Sequence, residues 1–166
     1  ERDEEDIELL VEFLDESYDE VERIEEVLVE LQQGSEDPEH LNEVFRKVHS
    51  IKGVASCCDL DDITNLTHIT EEVLSDCRSD KYAFKGGVID VCMDSNDLLR
   101  KLLDEVKYAV DESVSLIRFD EVPVLIERLE AVRRGEEIPG GGGDSAEPQG
   151  VNLWLLAEAL SLLEEL

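Results

Sequence analysis

From Ile7 onward, apolar residues recur every three or four positions: Ile7, Leu10, Val11, Leu14, Tyr18, Val21, Ile24, Leu28 and Leu31. That spacing lines one face of an α-helix and predicts a long amphipathic helix near residues 4–32. Gly34 ends it. Asp37-Pro38 opens a second helix, with Asp as N-cap and Pro at the first helical position. Its stripe is Leu41, Val44, Phe45, Val48, Ile51 and Ala55. A third helix, capped by Asp59 or Asp61, carries Ile63, Leu66, Thr67, Thr70, Val73, Leu74 and Cys77. Residues 79–87 read as a loop. A fourth helix turns Ile89, Cys92, Ser95, Leu98, Leu99, Leu102, Val106 and Val110 inward. A fifth runs from about Asp120 to Arg134, with Pro123 in its first turn, Gly135 past its end, and a stripe of Val122, Leu125, Ile126, Leu129 and Val132. No segment alternates with a period of two, and no internal repeat is present. The expected fold is all-α: an up-down bundle of about five helices, a four-helix core plus a fifth helix.

The pattern divides the chain into a helical bundle over 4–138, a Gly/Pro-rich linker over 139–150 and an apolar helix over 151–166. The linker has an r.m.s. span of about 20 Å. The last segment, with Leu153, Trp154, Leu156, Leu160 and Leu163, is too short to span a membrane. Its apolar breadth means it docks on its own bundle or a neighbour's, giving weak self-association, or begins another module. The chain opens on Glu1 rather than Met and reads as a piece of a longer protein.

Composition narrows the partners. The 166 residues suffice for one core, burying roughly 70% of the unfolded surface. Aromatics make up 5%, so that core is mostly Leu, Val and Ile. Net charge is −29, which repels phosphate backbones and anionic lipid and argues against nucleic-acid and membrane partners. The four cysteines form no Cys-x-x-Cys pair and read as reduced core residues of a cytoplasmic protein.

The candidate chemistry centres on Phe45-Arg-Lys-Val-His49-Ser-Ile-Lys52-Gly53. His49, Lys52 at +3 and Gly53 at +4 share one helix surface. The histidine offers a nucleophilic nitrogen, the lysine a positive charge beside it, and the glycine removes a side chain from the approach. This suits a histidine that carries a phosphoryl group and hands it on. At about 100° per residue, His49 falls on the edge of its apolar stripe, and Glu71 on the edge of the next helix's stripe. Antiparallel packing lets these edges meet.

The stretch from Leu41 to Cys77 resembles the histidine phosphotransfer (HPt) family, in the form that begins chemotaxis histidine kinases of the CheA type. The resemblance rests on His49-Ser-Ile-Lys52-Gly53 and on Leu66-Thr-His68-Ile-Thr-Glu71-Glu72-Val-Leu74 in the following helix. The family pattern is His-x-x-Lys-Gly, then Leu-x-His-x-x-Glu. The likeness covers about residues 5–135. The chain departs from it with Ser56 and Asp59 where glycines are common and Cys57-Cys58 between them.

The resemblance implies that His49 is the phosphoacceptor, that Lys52 faces the phosphoryl oxygens, that Gly53 keeps the surface open, and that Glu71 bonds the other ring nitrogen. A carboxylate holding Nδ1–H leaves the Nε2 lone pair free to attack. His68 matches a second histidine near the site, and Lys47 is a candidate for added positive charge; a surface role stands open for both. His40 reads as a surface residue. The implied partners are a histidine kinase ATP-binding domain and a response-regulator receiver domain. No Gly-rich phosphate loop or Asp-x-Gly-x-Gly pattern is present, so ATP and Mg²⁺ belong to partner domains and the chain binds no cofactor or metal of its own. It is then a phosphocarrier, standing alone or as part of a CheA-type kinase. The competing reading is a non-catalytic acidic helical interaction module. A carboxylate di-metal bundle would need paired Glu-x-x-His motifs, and the chain offers only His68-Ile-Thr-Glu71, in reverse order. Deleting residues 139–166 is expected to leave phosphorylation intact and to reduce self-association in sedimentation velocity.

Overall fold

The structure, a computed structural model, describes residues 4–136. Five helices follow in order: α1 (Glu4–Gln32), α2 (Pro38–Cys57), α3 (Asp61–Arg78), α4 (Gly87–Glu112) and α5 (Glu121–Arg133). Both α1 and α3 pack against α2 and α4, closing a four-helix ring. Cross-helix bonds give the directions. Arg23 meets Glu43 while Glu20 meets Lys47, and Tyr18 meets Asp104 while Gln32 meets Asp90. Helix α1 therefore runs antiparallel to α2 and α4, and α3 runs antiparallel to α2, where His49 meets Glu71 while Phe45 meets Arg78, as predicted. Helix α5 sits on α3 and α4. It runs alongside α3 in the same direction, with Arg118 on Asp62 just before its start and Arg133 on Asp76 at its end. No described helix is long and apolar enough to cross a membrane. The linker over 139–150, the segment over 151–166 and the domain edge at 138 lie outside the described residues.

The apolar stripes are the core. All seven predicted positions of α3 are buried, together with Ile69 and Asp76. The stripe of α1 is rotated from the expected one. Leu10, Phe13, Leu14, Ser17, Val21, Ile24, Val27 and Leu28 face inward, while Ile7 and Val11 are 40% and 45% exposed. Val11 lies about 100° round the helix from the centre of the buried face, and the small hydroxyl residue Ser17 occupies a core position instead. Val110 and Ile126 are half-buried. Cys58, Cys77 and Cys92 are buried, but Cys57 is exposed; none of the four is in a disulfide. Burial, reinforced by the Asp76 charge, pushes the Cys77 thiol up to about 12, and burial likewise raises Cys92, so both stay protonated.

All five helices end the same way. A backbone N–H reaches back five residues to a carbonyl across a residue in the left-handed conformation: Ser35 to Glu30, Leu60 to Ala55, Lys81 to Asp76, Val114 to Ala109 and Glu136 to Ala131. The left-handed residues are Gly34, Asp59, Asp80, Ser113 and Gly135. This satisfies terminal carbonyls that would otherwise lack partners. Asp59 thus closes α2 and does not cap α3, and Asp61 is the first residue of α3, whose N-cap position is Leu60 with no side-chain bond. The loop expected to run through Gly87 ends one residue earlier, at Gly86.

Helix α5 is fastened by one buried carboxylate. Asp76 accepts from Arg133 Nε at 2.8 Å, from the Tyr82 hydroxyl at 3.0 Å and from Lys81 Nζ at 3.3 Å. Burial opposes its charge, yet these donors hold its carboxyl below the ordinary 3.8. A depressed folded value means the stabilisation is complete above 3.8 and is lost as pH falls through the folded value. Arg133→Met, which keeps the stem but removes a donor, should destabilise the bundle by about 1–3 kcal/mol at neutral pH. Urea unfolding should show that deficit shrinking as the pH drops below 3.8.

Candidate functional site

The site lies where α2 crosses α3, the most extensive helix pair in the bundle. Val48, Ile51 and Ala55 of α2 are buried, as are Leu66, Thr70, Val73 and Leu74 of α3. Thr70 Oγ1 bonds the Leu66 carbonyl at 2.8 Å and meets Ser95 Oγ of α4 at 2.7 Å, so the polar group beside Glu71 in sequence is satisfied inside the core. These contacts set the register of α3. Glu71 then projects from the rim of the stripe, with its side chain only 12% exposed.

Glu71 bridges two residues of α2. Its Oε1 accepts from Lys52 Nζ at 2.6 Å, and its Oε2 pairs with Nδ1 of His49. Burial works against the charge on Glu71. The hydrogen bonds from Lys52 and His49 outweigh it and hold the carboxyl below its ordinary range. An ionised carboxylate can only accept, so the bonded Nδ1 carries the proton. In the neutral ring Nε2 then keeps its lone pair, on a side chain that is 63% exposed. The ring is more open than edge-of-stripe placement suggests, yet it is held at Nδ1.

Gly53 is exposed on the same helix. A Cβ there would meet nothing within 4 Å, so the bundle itself does not require glycine; the open space faces outward. His68, expected near the site, pairs along its own helix. Its Nε2 lies 3.4 Å from Glu72, one helical turn on, and Glu72 in turn holds Arg133 at 2.8 Å. Lys47 reaches Glu20 of α1 at 3.5 Å. His40 is not a free surface residue: its side chain is 15% exposed, between Ser35 Oγ at 3.1 Å and Glu30 at 3.3 Å.

Two residues join the site that sequence reasoning did not assign to it. The Phe45 ring stacks on the His49 ring, with centroids 6.2 Å apart and planes within 5°. The Arg78 guanidinium carbon lies 4.2 Å from the centroid of the same Phe45 ring. Phe45 was legible as the residue one turn before His49. Arg78 left no local signal, because its partner is on another helix.

The chain resembles known proteins in sequence and fold. The family model of the Hpt domain matches residues 8–109. The chemotaxis protein CheA of Rhizobium meliloti is 35% identical over 136 residues, 81% of this chain and 17% of that protein. The sensor histidine kinase CheAY of Helicobacter pylori is 36% identical over 100 residues, 60% of this chain and 12% of that protein. The chain thus spans less than a fifth of these curated relatives. Among solved structures, the phosphorylated P1 domain of CheA3 in complex with CheY6 from R. sphaeroides has a TM-score of 0.69 at 18% identity, covering 79% of this chain and 99% of that one. That likeness is one of fold. Since the family model covers more than half of its length, this chain belongs to the Hpt domain family.

Proposed function

We propose that this chain is the phosphocarrier of a chemotaxis-type phosphorelay, with His49 as phosphoacceptor. The observation that carries the reading is the Glu71 carboxylate held between Nδ1 of His49 and the Lys52 ammonium. Neutral His49 attacks the γ-phosphorus of ATP through Nε2. A P–N bond forms, the P–O bond to ADP breaks, and the ring becomes an imidazolium that still carries its Nδ1 proton. Glu71 faces that proton and stabilises the positive charge as it develops, so no base is needed to remove it. In the onward step an aspartate oxygen of a receiver domain attacks the phosphorus. The P–N bond breaks, and its electron pair returns to Nε2. Lys52, beside Glu71, keeps the carboxylate ionised and sets a cation near the phosphoryl oxygens. Gly53 leaves room for the incoming domain.

The kinase ATP-binding domain and the receiver are separate partners in this reading, and they bring the nucleotide and Mg²⁺. The chain supplies position and charge, the two things phosphoryl transfer asks of a protein. The curated relatives are named as chemotaxis proteins and a sensor kinase, and the solved P1 domain is phosphorylated and bound to a CheY, which supports this assignment.

The test is incubation with a CheA-type ATP-binding domain and ATP labelled at the γ-phosphate. Label that is acid-labile, alkali-stable and mapped to Nε2 of His49 is the expected result. His49→Gln should retain the wild-type melt, since the side chain is mostly exposed, and should take no label; labelling of His68 instead would sink the assignment. An acidic docking module with no carrier role would stay unlabelled throughout. For Glu71→Ala, phosphorylation should slow on the order of 10²-fold, the cost of misplacing a reacting group. Its ¹⁵N ring shifts should show His49 losing its preference for the Nδ1–H tautomer, with helical circular dichroism unchanged.

A further inference from the structure

The hydrogen bond from Glu71 fixes one atom of the His49 ring and its tautomer. It does not fix the plane of the ring, because the torsion that turns an imidazole about its Cβ–Cγ bond is broad. A ring pinned at Nδ1 alone still swings Nε2 through an arc, and an in-line attack needs that lone pair aimed. A second contact must set the plane. In this chain it is Phe45, whose ring lies within 5° of parallel to His49 at 6.2 Å, inside the range of offset aromatic pairs.

Phe45 is itself held. It is half-buried at the edge of α2, and Arg78, the last residue of α3, sits over its ring at 4.2 Å. The choice of partner is informative in a chain with 44 acidic and 15 basic residues. Among the described residues, Arg23, Arg100, Arg118, Arg128, Arg133 and Arg134 each hold a carboxylate within 3.2 Å. Arg78, like Arg46, holds none, but it alone of these arginines lies over an aromatic face, although α3 and its surroundings are rich in acids. The contact crosses from α3 to α2, as Glu71 to His49 does. The ring is therefore tied to α3 twice, once through its nitrogen and once through its plane.

We propose that Arg78 and Phe45 are positioning residues for His49: the cation over the Phe45 ring fixes the plane on which the imidazole stacks, and so aims Nε2. This deepens the phosphocarrier reading and rests on it. Neither residue touches the reacting atoms. Both act on the fraction of time that the nucleophile points outward.

The test uses potassium phosphoramidate as phosphodonor, which removes any kinase interface from the measurement. Nε2 attacks the phosphorus, a P–N bond forms, and the bond to ammonia breaks. His68, 58% exposed against 63% for His49, serves as the reference histidine in the same molecule. The readout is the ratio of His49 to His68 labelling rates by mass spectrometry. The wild-type ratio should exceed one. Phe45→Leu and Arg78→Gln should each lower it about 3- to 10-fold, the range such ring contacts contribute. Phe45→Tyr and Arg78→Lys, which keep a ring and a cation, should restore most of it. Should Phe45→Leu fail to fold, Arg78→Gln, at an exposed helix end, decides the matter alone. A wild-type ratio above one that stays unchanged in both disruptive variants overturns the positioning role and leaves the phosphocarrier reading standing. A wild-type His49 that is labelled no faster than His68 overturns both.

Discussion

A half-buried carboxylate at the seam of two helices governs this site. Burial penalises the charge on Glu71, and its two donors outweigh that penalty. Both donors come from α2, three residues apart, so a single register of α2 against α3 serves both. A slip of one turn, about 5.4 Å, would carry His49 and Lys52 away together and leave the charge bare. The apolar stripes set that register, with Val48, Ile51 and Ala55 on one side and Leu66, Val73 and Leu74 on the other. The core thus acts on function through geometry: it places the carboxylate where the imidazole and the ammonium must meet it.

Most of the fold was legible because helix periodicity is a direct consequence of burial on one face. Helix α3 matched at every predicted position. Helix α1 did not, because Ser17 gives no hydrophobic signal at a core position while Val11 gives a misleading one at an exposed position. Helix ends were legible only where glycine occupied the left-handed position, at Gly34 and Gly135. At Asp59, Asp80 and Ser113 the same backbone geometry is held by residues that read as caps or loop polars. Spacing and family resemblance brought His49, Lys52 and Glu71 together correctly. For His68 and Lys47, where a surface role stood open, each side chain pairs with a carboxylate: Glu72 one turn along, and Glu20 on α1. Arg78 was invisible because a cation–π contact between two helices has no sequence spacing.

Arg78 also shows why the fifth helix matters to a site it does not touch. Arg133 of α5 binds Asp76 and Glu72, flanking the last turns of α3. Those same turns carry Glu71 and end at Arg78. Helix termini fray, since their last carbonyls lack partners within the helix. Here the end of α3 is held by the Lys81-to-Asp76 backbone bond, by the Asp76 side chain and by α5. The residues that address His49 stand on an anchored segment, and the elements that anchor it lie on the far side of α3 from α2.

The charge of −29 acts at a different range from these contacts. At physiological ionic strength, charges separated by more than about 8 Å are largely screened. The ring of His49 therefore responds to Glu71, Lys52 and the groups packed beside it, and little to the remaining carboxylates of the bundle. Encounters differ, because an approaching molecule samples the summed potential before any contact forms. A net charge of −29 works against the approach of an anionic polymer or bilayer. A partner is accepted only if its own surface offsets the acidity around the rim, while the local field at Nε2 is set by a few short contacts. Chemistry and partner choice are thus separable in this protein. The acidic envelope is free to vary without touching the imidazole, so long as the seam between α2 and α3 keeps its register.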